Sequence, residues 1–280
     1  MAVSLRASVS ADALTIAAAF LTLATVAKLA GGPEPSRPAR DFWVLGLSAG
    51  VLCATKLPYA PLAAAVLLIP ARRWPGGRRG PALAAILACA VAATAWSVAV
   101  AASLHVELRP ETDRGRQIHD AFAEPLRAAS VIAADAWTHG PRYLAQLVGV
   151  QLGWLDTRLP WLLVLSYMAL LAWLAMADTE GGDGTGLRAK PRLFLAALAL
   201  SVTVLVIASQ YAAFTPYRAA SVDGVQGRYF LPLLPAAALV LRGRGVGAGL
   251  SSRGVFAALA AFAAAAAAAT CLAVIARFYG

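Results

Sequence analysis

The chain has 280 residues, 60% of them apolar and 14% charged, with a mean hydropathy of +0.69. That leaves too little polar surface to coat a soluble globule of this size, so a soluble enzyme is excluded and the composition is that of a polytopic membrane protein. A formal charge of +10 would suggest nucleic acid in a soluble protein; here no nucleic acid is expected, and the placement of the charge between loops carries the information.

The first apolar stretch, Ala11 to Leu29, follows Arg6 in the manner of a signal peptide. Lys28, Arg37 and Arg40 follow that stretch and outnumber the charge before it, so a retained helix with its N-terminus outside is expected. A spanning helix needs about 20 largely apolar residues. Windows of that kind fall at Ala11 to Ala30, Pro81 to Ser103, Leu159 to Met176, Leu193 to Phe214 and Val255 to Ile275. Three shorter apolar pieces, Phe42 to Thr55, Leu57 to Pro70 and Tyr229 to Leu241, are too short to span alone unless the bilayer thins or the helices extend past it.

Charge decides how these pieces join. The loops Gly31 to Asp41, Ala71 to Gly80, Ala177 to Arg192 and Arg242 to Gly254, with Lys28, hold 13 of the 24 basic residues. All four become cytoplasmic if Phe42 to Pro70 enters and leaves on one side, as a hairpin tipped by Lys56, Pro58, Tyr59 and Pro61. One bent crossing there would put "ARRWPGGRR" outside and break the rule. The resulting fold class is all-α: a polytopic transmembrane bundle of about eight membrane segments, two of them forming the hairpin, in a single integral membrane domain over 1–280.

The one sizeable extramembrane region is the extracytoplasmic segment 104–158, where six arginines are offset by seven carboxylates. Ile118, Phe122, Leu126, Ala129 and Ile132 recur at spacings of three and four, which predicts a helix around Ile118 to Trp137 lying along the outer interface. "DTEGGDGTGLRAKPR" reads as a Gly-rich inner linker, and the alanine run 263–269 as close helix packing.

Several chemistries find no support. Cys53, Cys89 and Cys271 each stand alone in apolar runs, as packing residues. His105, His119 and His139 have no compact zinc spacing, and the "HVE" at His105 lacks the PCxxC of a deaminase. No Walker lysine and no GxSxG is present, so no metal and no cofactor is expected.

Under this topology the polar signals collect outside: Asp12, Lys56, Tyr59, the stretch "LGWLDTRLP" with Asp156, and "GVQGRY" with Gln226, Arg228 and Tyr229. Arginine and lysine at a lipid boundary suit a phosphate-bearing headgroup, since a guanidinium pairs two phosphate oxygens and an ammonium adds a point charge. Plainer roles stand beside this one. Arg228 and Tyr229 also fit a snorkelling cation and an aromatic-belt residue, Asp12 and Asp156 fit helix caps, and Trp154 and Trp161 fit interface anchors. Lys56 is harder to absorb: a lysine at the bilayer centre costs about 2.5–3.5 kcal/mol, so it must reach water, headgroups or an anion.

Taken together, "SADALTIAAAFLTLATVAKL", "GLSAGVLCATKLPYAPL", "VGVQLGWLDTRLP" and "GVQGRYFLPLLP" occur in an order that resembles the bacterial membrane-protein family named domain of unknown function 2142. The resemblance covers nearly the whole chain. That family is similar to the GT-C glycosyltransferases, multi-spanning enzymes that use polyprenyl-phosphate sugars on the outer face of the membrane. It implies a multi-pass protein of the cell's inner membrane, with membrane lipids and a polyprenyl-phosphate-linked sugar as partners and a cell-envelope glycan as acceptor. By position, Arg228 and Lys56 would meet the phosphate, and Gln226 and Tyr229, with Tyr59 and Asp156, would make polar contacts to substrate. GT-C enzymes carry a catalytic carboxylate in a first outer loop. This chain begins downstream of the matching point, so N-terminal truncation is expected, with Asp12 as the candidate carboxylate. The alternative is a non-enzymatic transporter of lipid-linked glycans or an accessory membrane subunit.

Overall fold

The computed structural model describes residues 11–32, 38–74, 79–103, 109, 111–149, 151–152, 157–176, 189–242 and 252–279. The described chain is mostly helical, with a two-residue antiparallel ladder in which Gln151 pairs with Arg158 and Leu152 with Thr157, and an irregular stretch over 214–226. The α-helices are α1 (Ala11–Gly31), α2 (Pro38–Thr55), α3 (Arg79–Ser103), α4 (Arg114–Ala123), α5 (Pro125–Leu147), α6 (Trp161–Met176), α7 (Ala189–Ala213), α8 (Leu234–Leu241) and α9 (Ser252–Tyr279). Two 3-10 segments, Leu57–Leu68 and Gly227–Leu233, join this framework.

Four helical stretches are long and apolar enough to cross a membrane: Asp12–Gly31, Arg79–Val100, Ala189–Ala213 and Phe256–Tyr279. The window expected at Leu159 to Met176 forms the shorter α6, because Leu159 and Pro160 precede the helix. α1 is the most enclosed of the four, with half of its window buried, whereas 6% of the α9 window is. The buried stripe Ile16, Ala19, Leu23 and Val26 on α1 repeats every three or four residues and packs on Leu45, Ala49 and Leu52 of α2. Within that apolar contact, Thr22 donates to Ser48 at 3.0 Å and Ser48 donates to the Leu45 carbonyl, so neither hydroxyl is left unpaired.

The apolar pieces that read as short differ from expectation in a way that lengthens them. α2 begins at Pro38, four residues before Phe42, and its 18 residues rise about 27 Å. Leu57–Leu68 is wound as a 3-10 helix, so its 12 residues rise about 24 Å rather than the 18 Å of an α-helix. Pro58 opens this segment and Pro61 lies inside it. Proline offers no N–H to an α-helical ladder, and three residues per turn then line up Tyr59, Leu62 and Ala65 in one buried row and Ala63, Val66 and Ile69 in the next. Gly227–Leu233 repeats the device, with Pro232 inside it, and continues into α8.

Both ends of the hairpin region are tied. At one end Lys28 pairs with Asp41 at 2.7 Å, Arg73 donates to the Gly32 carbonyl at 2.7 Å, and Arg79 donates to Leu67 at 3.3 Å. Arg192 donates to the Arg242 carbonyl at 2.7 Å, and one cavity is lined by Lys28, Gly32, Leu68, Leu195 and Arg242 together. The described basic residues Lys28, Arg73, Arg79, Arg192 and Arg242 therefore gather at one end of the bundle. At the other end Lys56 reaches Asp12, and Ser97 donates to the Ala54 carbonyl at 2.8 Å.

The helix predicted around Ile118 to Trp137 is two helices, α4 and α5. Pro125 disfavours helical backbone at Glu124, which sits at φ −123° and ψ 61° and ends α4. Asp113 caps α4 by accepting the Arg116 amide at 2.9 Å. Phe122, Leu126 and Trp137 lie 84%, 85% and 88% exposed, an apolar edge alongside charged faces.

A strap, residues 214–226, is laced to α4. Gln117 is buried, donates to the Tyr211 carbonyl at 2.9 Å and accepts the Arg218 amide at 3.1 Å. Asp120 accepts from the Tyr217 hydroxyl at 2.7 Å and Arg218 Nε at 3.0 Å, while Arg218 also reaches Glu124. These bonds hold Arg218 at φ 60°, a left-handed conformation unusual for a non-glycine residue. The Tyr217 hydroxyl first, and then Arg218, hold the Asp120 carboxyl below the usual carboxylate range. A lowered folded-state pKa adds stability that is present above the unfolded value and lost as pH falls through the folded one. The strap is thus expected to stay protected from hydrogen exchange from neutral pH down to below the ordinary carboxylate range and to open beyond it. Asp120→Asn should speed exchange across 214–226 already at neutral pH; equal protection in the variant and the wild type would contradict the role given to Asp120.

Candidate anion site at the Asp12 end of the bundle

Three chain segments far apart in sequence end at the same place. α1 opens there with Asp12 in its first turn, where a carboxylate also suits the positive helix terminus. Lys56 stands between α2 and the first 3-10 segment with extended backbone, at φ −153° and ψ 117°, and so projects from the turn. Arg228 and Tyr229 open the second 3-10 segment.

Lys56 Nζ pairs with Asp12 Oδ1, and Arg228 Nε lies 3.5 Å from Asp12 Oδ2. The Tyr229 ring lies beside both cations, its centroid 5.1 Å from Lys56 Nζ and 5.5 Å from the Arg228 guanidinium carbon. Tyr59, itself buried, donates its hydroxyl to the Tyr229 carbonyl at 2.8 Å and so locks the first 3-10 segment to the second. Among the described residues, two cations face one carboxylate at this point. Arg228 Nε is buried and makes no hydrogen bond among the described residues, since 3.5 Å is too long for one. Burying a guanidinium N–H without a hydrogen-bond acceptor is costly, and the cost is removed by an anion whose oxygen accepts that hydrogen bond.

Five of the seven residues singled out from sequence, Asp12, Lys56, Tyr59, Arg228 and Tyr229, thus come together. Gln226 occupies the cap position of the second 3-10 segment without a side-chain cap bond, and its carbonyl accepts the Tyr229 amide at 3.0 Å. Asp156, and Trp154 with it, lie outside the described residues.

The two glycines of this turn, Gly224 and Gly227, read from sequence as the positions that let it pack closely; the side chain on α5 that seats it was missed. Gln146 of α5, 1% exposed, accepts the Gly227 amide at 3.1 Å through its side chain. A Cβ on Gly227 would sink into the Tyr143 carbonyl and the Leu147 amide, which are backbone atoms of α5 and cannot move aside. Gly227 is therefore required for α5 to lie directly on the second 3-10 segment. Gly224, at φ +83°, is required for a second reason: a side chain there would be strained and would strike the Phe214 ring. Also missed was a group on α5 at four-residue spacing. Asp135 Oδ1 lies 2.9 Å from His139 Nδ1, and Asp135 Oδ2 accepts the Tyr143 hydroxyl at 2.8 Å. The spacing was legible, but the histidines had been weighed only as zinc ligands.

Gly227→Ala should push α5 off the second 3-10 segment and cost about 1–3 kcal/mol, as overpacking does. Thermal unfolding of the detergent-solubilised protein would show this as a fall in Tm of several degrees, whereas an unchanged Tm would mean that the close approach is not needed.

The family model described as "Predicted membrane protein (DUF2142)" matches residues 1–237. No curated protein and no solved structure matches the chain. The matched region contains α1, the hairpin, α4, α5 and both 3-10 segments, and hence every residue of the cluster, while α9 lies beyond it. On that match the chain belongs to the DUF2142 family, an integral membrane family of unknown function.

Proposed function

We propose that the chain is an eight-segment protein of the cell's inner membrane, similar to the GT-C glycosyltransferases. In this reading its outer-end cluster holds the phosphate of a polyprenyl-phosphate-linked sugar whose sugar passes to a cell-envelope glycan. The observation that carries the reading is the pairing of Lys56 and Arg228 around a single carboxylate, with Arg228 Nε left without a hydrogen bond at the mouth of two apolar segments. A phosphate monoester or diester matches that arrangement: it brings negative charge and several acceptor oxygens to a guanidinium fork and an ammonium.

Three further features support it. Each 3-10 segment supplies a rise of about 2.0 Å per residue, which brings the short pieces to about 24–26 Å, within a few ångströms of the roughly 30 Å hydrocarbon core. The gathering of Lys28, Arg73, Arg79, Arg192 and Arg242 at the opposite end supports a cytoplasmic side there, by the bias of basic residues toward the cytoplasm, with the cluster outside. An apolar groove of about 340 Å³ lies between Gly140 and Tyr143 of α5, Thr203 and Ile207 of α7, and Phe230, and it runs beside the segment that bears Arg228. An isoprenoid chain attached to a phosphate at Arg228 has an apolar path there.

Asp12 enters this reading as the residue that orders the two cations. A non-enzymatic role, as a carrier or accessory subunit for lipid-linked glycans, is the second reading. It is favoured by one observation: each Asp12 oxygen faces a cation, which leaves that carboxylate poorly placed to take a proton from an acceptor hydroxyl.

Binding of polyprenyl phosphate to the purified full chain, read by native mass spectrometry against the uncharged polyprenol, tests the phosphate site. Arg228→Lys should weaken polyprenyl phosphate by about tenfold or more, equivalent to about 1.4 kcal/mol, because the guanidinium fork is lost. Arg116→Lys, at an exposed helix position, should change it by less than about twofold. Equal affinity for phosphate and polyprenol, or equal effects of the two substitutions, would reduce Arg228 to an interface anchor.

A further inference from the structure

α5 is an amphipathic helix on the outer side, yet it buries a carboxylate completely: the Asp135 side chain is 0% exposed. An ionised group in that position is tolerated only when its oxygens are satisfied. Both are, by residues one and two turns further along the same helix. Tyr143, its phenol held protonated by burial and by Asp135, donates to Oδ2 at 2.8 Å. His139 meets Oδ1 through Nδ1 at 2.9 Å.

That second bond has a chemical consequence. With Nδ1–H donating to a fixed carboxylate, the lone pair of the neutral imidazole is on Nε2, and Asp135 also steadies the imidazolium once Nε2 has taken a proton. His139 makes no other hydrogen bond among the described residues, and its side chain is 36% exposed, so Nε2 is open to a ligand. Among the described residues, most other acidic groups on this side are engaged, Asp113 by Arg116 at 3.2 Å among them, while the exposed Glu111 has no partner that would orient its carboxylate. Asp12 is held by Lys56 and Arg228, Asp120 and Glu124 by Arg218, and Asp223 by Arg109 at 3.3 Å. His119 lies 3.5 Å from Asp120, too far for a hydrogen bond to orient it, and that carboxylate is already shared with Tyr217 and Arg218.

The group also lies next to the anion site. Tyr143 packs its carbonyl against Gly227, the residue before Arg228, and its ring centroid is 5.8 Å from that of Phe230 in the same segment. His139 is one helical turn from Tyr143, about 6 Å along the helix. Arg142 and Asp223 are the other charges that act on this patch.

We propose that His139, positioned by Asp135, is the proton acceptor of the outer surface and takes the proton of the acceptor hydroxyl when the sugar is transferred. The inference rests on the phosphate reading of the Arg228 cluster. In the step, the hydroxyl proton passes to His139 Nε2 and the acceptor oxygen bonds to the anomeric carbon. The bond from that carbon to the phosphate oxygen breaks, its electron pair leaves with the lipid phosphate, and Arg228 and Lys56 meet the charge. His139 then returns the proton to water. Asp135 touches no reacting atom; it is a positioning residue.

Two readouts on the full chain in nanodiscs test this separately from the phosphate site. The first is acylation of His139 by diethyl pyrocarbonate, followed by mass spectrometry with His119 as the internal control. A panel of polyprenyl-phosphate hexoses and pentoses should contain a member that shields His139, while polyprenyl phosphate without a sugar binds and leaves it reactive. The second is release of polyprenyl phosphate from the shielding donor in the presence of the cell's own envelope glycan. His139→Gln should bind the donor within about twofold of wild type and lose about 100-fold or more in transfer, in the range general-base removal produces. Asp135→Asn should lower kcat with KM little changed and alter the acid limb of the pH profile, which a merely structural role would not do. If sugar-bearing donors bind but none shields His139, or if His139→Gln transfers as well as wild type, the inference is overturned while the phosphate site stands. Binding without transfer by the wild type overturns it as well. If neither the donors nor polyprenyl phosphate binds, the phosphate reading itself fails.

Discussion

The carboxylate of Asp12 is the point on which one end of this bundle is organised. It sits in the first turn of α1, takes Lys56 from the hairpin tip on one oxygen and faces Arg228 of the second 3-10 segment with the other. Without a shared counter-charge, the two cations would repel and would each seek water or headgroups independently. With it, three segments separated by 44 and 172 positions are drawn to one spot, where among the described residues two cations meet one carboxylate and Arg228 Nε makes no hydrogen bond. Structure and electrostatics therefore come from the same three side chains.

That convergence depends on backbone winding. If Leu57–Leu68 were α-helical, it would be about 6 Å shorter, and Lys56 could not stand level with the start of α1 while Arg79 meets Leu67 at the far end. Prolines at 58, 61 and 232 forgo α-helical hydrogen bonds, and the bundle uses the tighter winding that results. The same economy governs the second 3-10 segment, where Gly227 has no side chain because the backbone of α5 occupies that space. Tyr59 then ties the two segments to each other across 170 positions of sequence.

Much of this was legible before any coordinates. Apolar windows located most of the helices, and the bias of lysine and arginine toward four loops anticipated that Lys28, Arg73, Arg79, Arg192 and Arg242 would share one end of the bundle. The hairpin tip and "GVQGRY" were singled out because polar residues at a lipid boundary need a partner. The clustering of Asp12 with Lys56 and Arg228 was harder to read, because nothing local encodes a long-range ion pair. Hydropathy windows assume an α-helical rise, so the 3-10 segments registered as too short to span. The break at Glu124 was signalled by Pro125, but the apolar spacing of Ile118, Phe122 and Leu126 continues through it and suggested a single helix. Gln146 and Asp135 went unnoticed because a polar residue on an amphipathic helix ordinarily faces water; only tertiary packing turned these two inward.

The position of the phosphate is the most direct test of the central claim. An experimental structure of the full chain in a nanodisc with polyprenyl phosphate should place the phosphorus within hydrogen-bond reach of the Arg228 guanidinium, with Lys56 contributing and Asp12 still between them. A phosphate bound elsewhere, with Arg228 turned to bulk headgroups and the Asp12 pairing broken, would contradict the account.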